Sequence, residues 1–200
     1  MLLRDCDTSS LVIDRLCDWA RGRNAEVACF YFDFAAQKEQ SPATVLGSLL
    51  KQVVGGLEEI PAKIVQACQD MKKEIGGKAL GLGQIVEMLQ DILSSRPIFI
   101  CIDALDECMA KYRATLLDSL KQFLRKSPSS RLFLTGRPYI RDEVEKHLTG
   151  SVVAVSITPN KDDIIRFLQA KLRDDTTPDA MDKGLEEDIL KAIPRTVSEM

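Results

Sequence analysis

Pro97-Ile-Phe-Ile-Cys-Ile102, followed at once by Asp103-Ala-Leu-Asp106-Glu107, is the stretch that decides the architecture of this chain. A short, continuous apolar run of this kind reads as a buried strand. Working outward, Val27-Ala-Cys-Phe-Tyr-Phe32, Arg131-Leu-Phe-Leu-Thr135 and the stretch from Ser151 to Ile157 read the same way. Helix-period segments lie between them. One is capped by Thr8 or Ser9 and carries Leu11, Val12, Leu16 and Trp19; another opens at Ser41-Pro42 and carries Val45, Leu46, Leu49, Leu50 and Val53. A third follows Pro61, and Gly76 to Gly83 reads as loop. Ile85, Val86, Leu89, Ile92 and Leu93 mark the next helix, and Leu116, Leu117, Leu120, Phe123 and Leu124 another. Tyr139 to Leu148, a segment capped by Asn160 and running through Leu172, and one short final helix complete the set. Strands alternating with helices in this way predict an α/β fold, a mostly parallel sheet covered on both faces.

In such sheets ligands bind at the carboxyl ends of the strands. Asp103 ends its strand, and Asp106 and Glu107 follow three and four residues later, which is the Walker B arrangement with its extension. A carboxylate at a strand tip can hold Mg²⁺, and a second just beyond it can orient or deprotonate an attacking water. The plain alternative is an exposed acidic turn, but three carboxylates within five positions call for a cation nearby. The second strand end is Thr135-Gly136-Arg137-Pro138, where an arginine with a hydroxyl two residues before it can read a terminal phosphate.

The 200 residues carry 27 Lys and Arg against 30 Asp and Glu, a net charge of −3, with 45% apolar and 28% charged residues. That balance excludes a strongly basic nucleic-acid binder and a disordered chain. No apolar run reaches the roughly 18 residues a membrane span needs, and the N-terminus lacks the order of a secretory signal. The six cysteines, Cys6, Cys17, Cys29, Cys68, Cys101 and Cys108, show no C-x-x-C spacing, and His147 is the sole histidine. A zinc set cannot be assembled from them, so reduced thiols in a cytoplasmic protein are expected.

Phe30-Tyr-Phe-Asp-Phe34, the stretch from Ser41 to Val54, the Asp-Ala-Leu-Asp-Glu-Cys motif ending at Cys108 and the Thr-Gly-Arg-Pro motif ending at Pro138 resemble fungal NACHT-type (STAND) NTPases. More narrowly, they resemble the nephrocystin-3-like N-terminal domain, from about Ser9 onward. The resemblance implies a P-loop NTPase-like three-layer sandwich and a nucleotide-binding signal-transduction switch using ATP or GTP with Mg²⁺. It implies Asp103 as the Mg²⁺-associated acid, Asp106 and Glu107 as hydrolytic acids, and Thr135 with Arg137 as the groups that detect the γ-phosphate. Protein partners or self-association are implied too, with neither nucleic acid nor membrane.

The cradle of such an NTPase, G-x-x-x-x-G-K-[ST], is absent from the sequence. Gly76-Gly77-Lys78-Ala79 has alanine where the hydroxyl belongs, and Gly81-Leu-Gly83 is followed by Val86 where a dinucleotide fingerprint needs glycine. The resembled family places its cradle before the helix that here begins near Ser9, where Met1-Leu-Leu-Arg-Asp-Cys-Asp7 stands instead. The expectation is therefore a chain truncated after the Walker A loop, with the first strand missing. Residues 1–175 would form the partial NTPase domain, and 176–200 a polar linker and the opening of a winged-helix region. Little or no hydrolysis is expected of it. The alternatives are a degenerate, non-enzymatic interaction module and a metal-dependent hydrolase using Asp103, Asp106 and Glu107 directly.

Overall fold

A computed structural model describes residues 6–73, 80–93, 96–148, 152–157, 160–174 and 182–198. The Gly76-Gly77-Lys78-Ala79 stretch lies outside them. The chain divides into two compact units, Met1–Val152 and Val153–Met200.

The first unit contains α1 (Cys6–Ala20), β1 (Glu26–Tyr31), α2 (Pro42–Gly55), α3 (Ala62–Lys73), α4 (Leu82–Leu93), β2 (Ile98–Asp103), α5 (Ala110–Lys126), β3 (Arg131–Leu134) and α6 (Arg141–His147). The three strands form one parallel sheet in the order β1-β2-β3. Side chains alternate across a strand, so the two faces separate cleanly. Ala28, Ile98, Ile100 and Ile102 point into a core built from Val45, Leu46 and Leu49 of α2, Leu89 and Ile92 of α4, and Leu116, Leu117, Leu120 and Phe123 of α5. On the other face Trp19 of α1 meets Phe99 edge-to-face, with ring centroids 5.2 Å apart. Helices on both faces of a parallel sheet make the expected α/β sandwich.

Local chemistry sets the element ends. Ser41 caps α2, its hydroxyl accepting the Thr44 N–H at 3.2 Å, and Pro42 opens the helix where an N–H is dispensable. The Ile98 N–H, at the start of β2, donates to Ser130 Oγ at 2.9 Å, and Ser130 is paired with Ser127 at 2.8 Å. That small buried hydroxyl pair satisfies a backbone group which would otherwise cost a kilocalorie or more.

The outer edge of β1 is closed by a side chain. Glu26 and Phe32 donate inward to Pro97 and Asp103, so the intervening odd-numbered residues of the strand face outward. Gln52 of α2 grips the central one: its amide accepts the Cys29 N–H at 2.9 Å and donates to the Cys29 carbonyl at 2.8 Å. One glutamine thus supplies both bonds that a neighbouring strand would.

Three expectations need correction. Residues 152–157 form no strand; Val153, Val155 and Ile157 are exposed. β-Propensity is realised only against a neighbour, and no strand among the described residues lies beside this run. The first helix starts at Cys6, ahead of the Thr8 or Ser9 cap. In the second unit, α7 (Lys161–Arg173) is capped by Asn160 as expected, but the final helix, α8 (Lys183–Ser198), is sixteen residues long rather than short and contains Pro194. α7 and α8 pack on each other.

The Gln52 clip makes a testable statement. Gln52→Ala should lower stability by about 1 kcal/mol, seen as a lower urea midpoint at unchanged slope. It should also raise concentration-dependent self-association, because the β1 edge is then open.

Candidate functional site

The sequence-predicted residues meet where β2 and β3 end. Asp103 is the last residue of β2 and is buried. The Thr135 hydroxyl donates to Asp103 Oδ1 at 2.5 Å and accepts the Ala104 N–H at 3.0 Å. Thr135 is held by its backbone too: its N–H donates to the Ile102 carbonyl at 3.0 Å, and its carbonyl accepts the Leu105 N–H at 2.9 Å. Ala104, pinned between these contacts, sits at φ 52°, ψ 47°, the left-handed region that a non-glycine residue adopts at a cost. That residue turns the chain sharply off the strand into the short 3₁₀ turn Leu105–Glu107, so the acids project from a fixed corner.

The three acids have different surroundings. Asp106 is only 8% exposed at its side chain; Oδ1 accepts the Arg137 N–H at 3.2 Å and Oδ2 lies 3.4 Å from Arg137 Nε. Arg137 itself is 67% exposed. Gly136 permits this approach, since a Cβ there would stand 2.7 Å from Ile140 and 3.4 Å from Asp106. Glu107 is half-buried, and its carboxylate has no hydrogen bond or ion pair among the described residues. The Glu107 carbonyl accepts from Gln37 Nε2 at 2.7 Å, which ties the turn to the segment after β1.

A residue the sequence reading passed over anchors this corner. Arg113 of α5 is buried; it donates to the carbonyls of Cys108 at 3.1 Å and Asp106 at 3.5 Å, and to Glu143 of α6 at 2.7 Å. Tyr139 donates to the Asp106 carbonyl at 3.3 Å. The signal was present: Arg113, Leu116, Leu117 and Leu120 keep one helical face, so this arginine lies in the apolar stripe rather than on the solvated side.

The site does not gather a metal ligand set. Among the described residues no three His, Cys, Asp or Glu side chains converge, so Asp103, Asp106 and Glu107 do not share a centre. A hydrolase built on all three is disfavoured. Asp103 alone, at a strand tip, fits the one-carboxylate way of holding Mg²⁺. The sequence supplies no G-x-x-x-x-G-K-[ST] cradle to accompany it. Burial pushes the Cys101 thiol up to about 12 and the Cys108 thiol up to about 11, which keeps these two protonated. His147 pairs with Asp118 at 2.8 Å rather than with a cysteine. An open hollow of about 410 Å³ lies between α4 and α5, lined by Val86, Gln90, Asp118 and Ser119, away from the acidic corner. No described helix is long and apolar enough to cross a membrane.

Because Arg113 is buried against carbonyls and a carboxylate, its removal should be felt. Arg113→Met should cost about 3 kcal/mol, the lower end of the range for a broken buried pair, since Glu143 keeps some water. Urea unfolding monitored by circular dichroism measures it.

The solved structure of the Aeropyrum pernix ORC1 protein in complex with DNA superposes with a TM-score of 0.55 at 18% identity, over 96% of this chain and 45% of that one. The chain thus spans less than half of that protein's length, and at such identity the likeness carries the fold alone: a P-loop-like α/β domain. No curated protein matches the sequence. The family model described as Nephrocystin 3, N-terminal, matches residues 8–137, well over half of the chain and including Asp103, Asp106, Glu107, Thr135 and Arg137. The chain belongs to the nephrocystin 3 N-terminal, NACHT-like family.

Proposed function

We propose that this chain is part of a nucleotide-binding signal-transduction switch of the NACHT class, cytoplasmic and of the fungal type, acting on ATP or GTP. One observation carries the reading: Asp103 and Thr135, hydrogen-bonded at 2.5 Å, stand side by side at the carboxyl ends of parallel strands, with Arg137 just beyond. In this reading Asp103 holds Mg²⁺, which when bound would neutralise charge on the terminal phosphates. Glu107 is open to orient a water, and Arg137 offers a solvent-facing guanidinium to the last phosphate. Protein partners, or a second copy of the domain, receive the switch's output. The net charge of −3 favours protein partners over nucleic acid.

Hydrolysis by these 200 residues is not part of the proposal. Without the G-x-x-x-x-G-K-[ST] nest and its lysine, the dominant phosphate contacts are missing, and triphosphate affinity falls by orders of magnitude. A second reading, a non-enzymatic interaction module, is favoured by a specific feature. The Asp103 and Asp106 carboxylates already accept hydrogen bonds from Thr135 and Arg137, as a purely structural corner would.

Two measurements test this. Turnover of Mg²⁺-ATP or Mg²⁺-GTP by the purified chain should not exceed that of Glu107→Ala; a clear excess would refute the inactivity. Titration with Mg²⁺ and tripolyphosphate, followed by amide NMR, should move the signals of residues 103–107 and 135–137, and Arg137→Ala should weaken the response. Shifts confined to other regions, or none, would hand the assignment to the interaction module.

A further inference from the structure

We propose that Asp106 is a positioning residue for Arg137 and not a hydrolytic acid. Both carboxylate oxygens of Asp106 face Arg137, and its carbonyl is held by the supports of the corner. One carboxylate oxygen accepts the Arg137 N–H at 3.2 Å, and the other lies 3.4 Å from Arg137 Nε. The Asp106 carbonyl is held by Tyr139 at 3.3 Å and by Arg113 at 3.5 Å. A general base must reach a water or a substrate proton, at hydrogen-bond distance, with a free lone pair in solvent. Asp106, 8% exposed and with both carboxylate oxygens turned to Arg137, is poorly placed to reach a water in this arrangement.

The same contacts explain what Asp106 does. Arg137 follows a glycine and has a long, rotamer-rich side chain, 67% exposed, so it would otherwise sample many orientations. Asp106 engages it at the backbone N–H and at Nε, which fixes the root and neck of the side chain while the guanidinium as a whole remains in solvent. A guanidinium oriented in advance loses less freedom when it grips a phosphate. Gly136 allows the two chains to approach, Arg113 and Tyr139 fix the carbonyl, and Glu143 ties Arg113 to the helix that follows Arg137. Of the turn's two acids, Glu107 is then the one left to work on a water. The positioning stands on geometry; its use for phosphate rests on the nucleotide-binding reading above.

The test is side-chain and amide NMR on the full 200-residue chain. In the wild type the Arg137 Nε–Hε should give its own resolved signal, and the Arg137 amide should exchange slowly. Asp106→Asn should merge the Nε–Hε signal with those of free arginines and speed amide exchange at position 137 by about tenfold. The Thr135 amide signal should stay in place. An Arg137 signal unchanged in Asp106→Asn overturns the proposal. Should that variant not fold, Arg137→Lys replaces it: its amide at position 137 still faces Asp106 and should stay protected, and rapid exchange there overturns the proposal as well. Tripolyphosphate added to the wild type separates the two readings. A shift of the Arg137 Nε–Hε signal supports both; a resolved, protected signal that ignores the anion upholds the positioning role and removes the phosphate reading.

Discussion

The hydrogen bond from the Thr135 hydroxyl to Asp103 Oδ1, 2.5 Å long, joins the tips of two parallel strands, and the acidic corner is organised around it. A hydroxyl donating to a carboxylate is among the shorter and stronger hydrogen bonds in proteins. Here it forms only because β2 and β3 keep register up to their ends, with Ile102 opposite Leu134. The same hydroxyl accepts the Ala104 N–H, and that contact helps hold Ala104 in the left-handed region. From that kink follow the direction of the Leu105–Glu107 turn and the separate surroundings of Asp106 and Glu107. A core residue far away, such as Ile100, therefore bears on the site through strand register.

Two arginines near this corner illustrate how burial assigns roles to one side-chain type. Arg113 lies inside, its guanidinium spent on two carbonyls and Glu143, so it acts as a structural bracket between α5, the acidic turn and α6. Arg137 lies outside, contacting Asp106 through its backbone N–H and its Nε. An exposed ion pair contributes at most about 1 kcal/mol, whereas breaking a buried one costs several. The inner arginine is thus expected to govern stability more than the outer one.

Much of this was legible in the sequence, and the misses have physical causes. Apolar runs bounded by polar residues located β1, β2 and β3, and the Ser41-Pro42 pair with its 3.6-residue stripe located α2 to the residue. Those signals are local. The run over residues 152–157 has the same composition as a strand, yet pairing depends on a neighbour that composition cannot supply. Arg113 was missed because a charge inside an apolar stripe is easily assigned to the solvated face. The contact between Asp103 and Thr135 joins residues 32 apart and depends on strand register, so sequence could nominate both residues but not their bond. Spacing likewise treats Asp106 and Glu107 as equivalent acids; only the approach of Gly136 and Arg137 distinguishes them.

The glutamine that closes β1 has a consequence for how copies of this domain can meet. A sheet with two open edges can add neighbours without end, as fibres do. With Gln52 occupying the middle of one edge, lateral growth has only the β3 side, where β2 is the sole strand partner among the described residues. Two copies joined there would use up each other's open edge, so association by strand pairing ends at a pair. A single side-chain amide thereby limits where strand pairing between copies could occur.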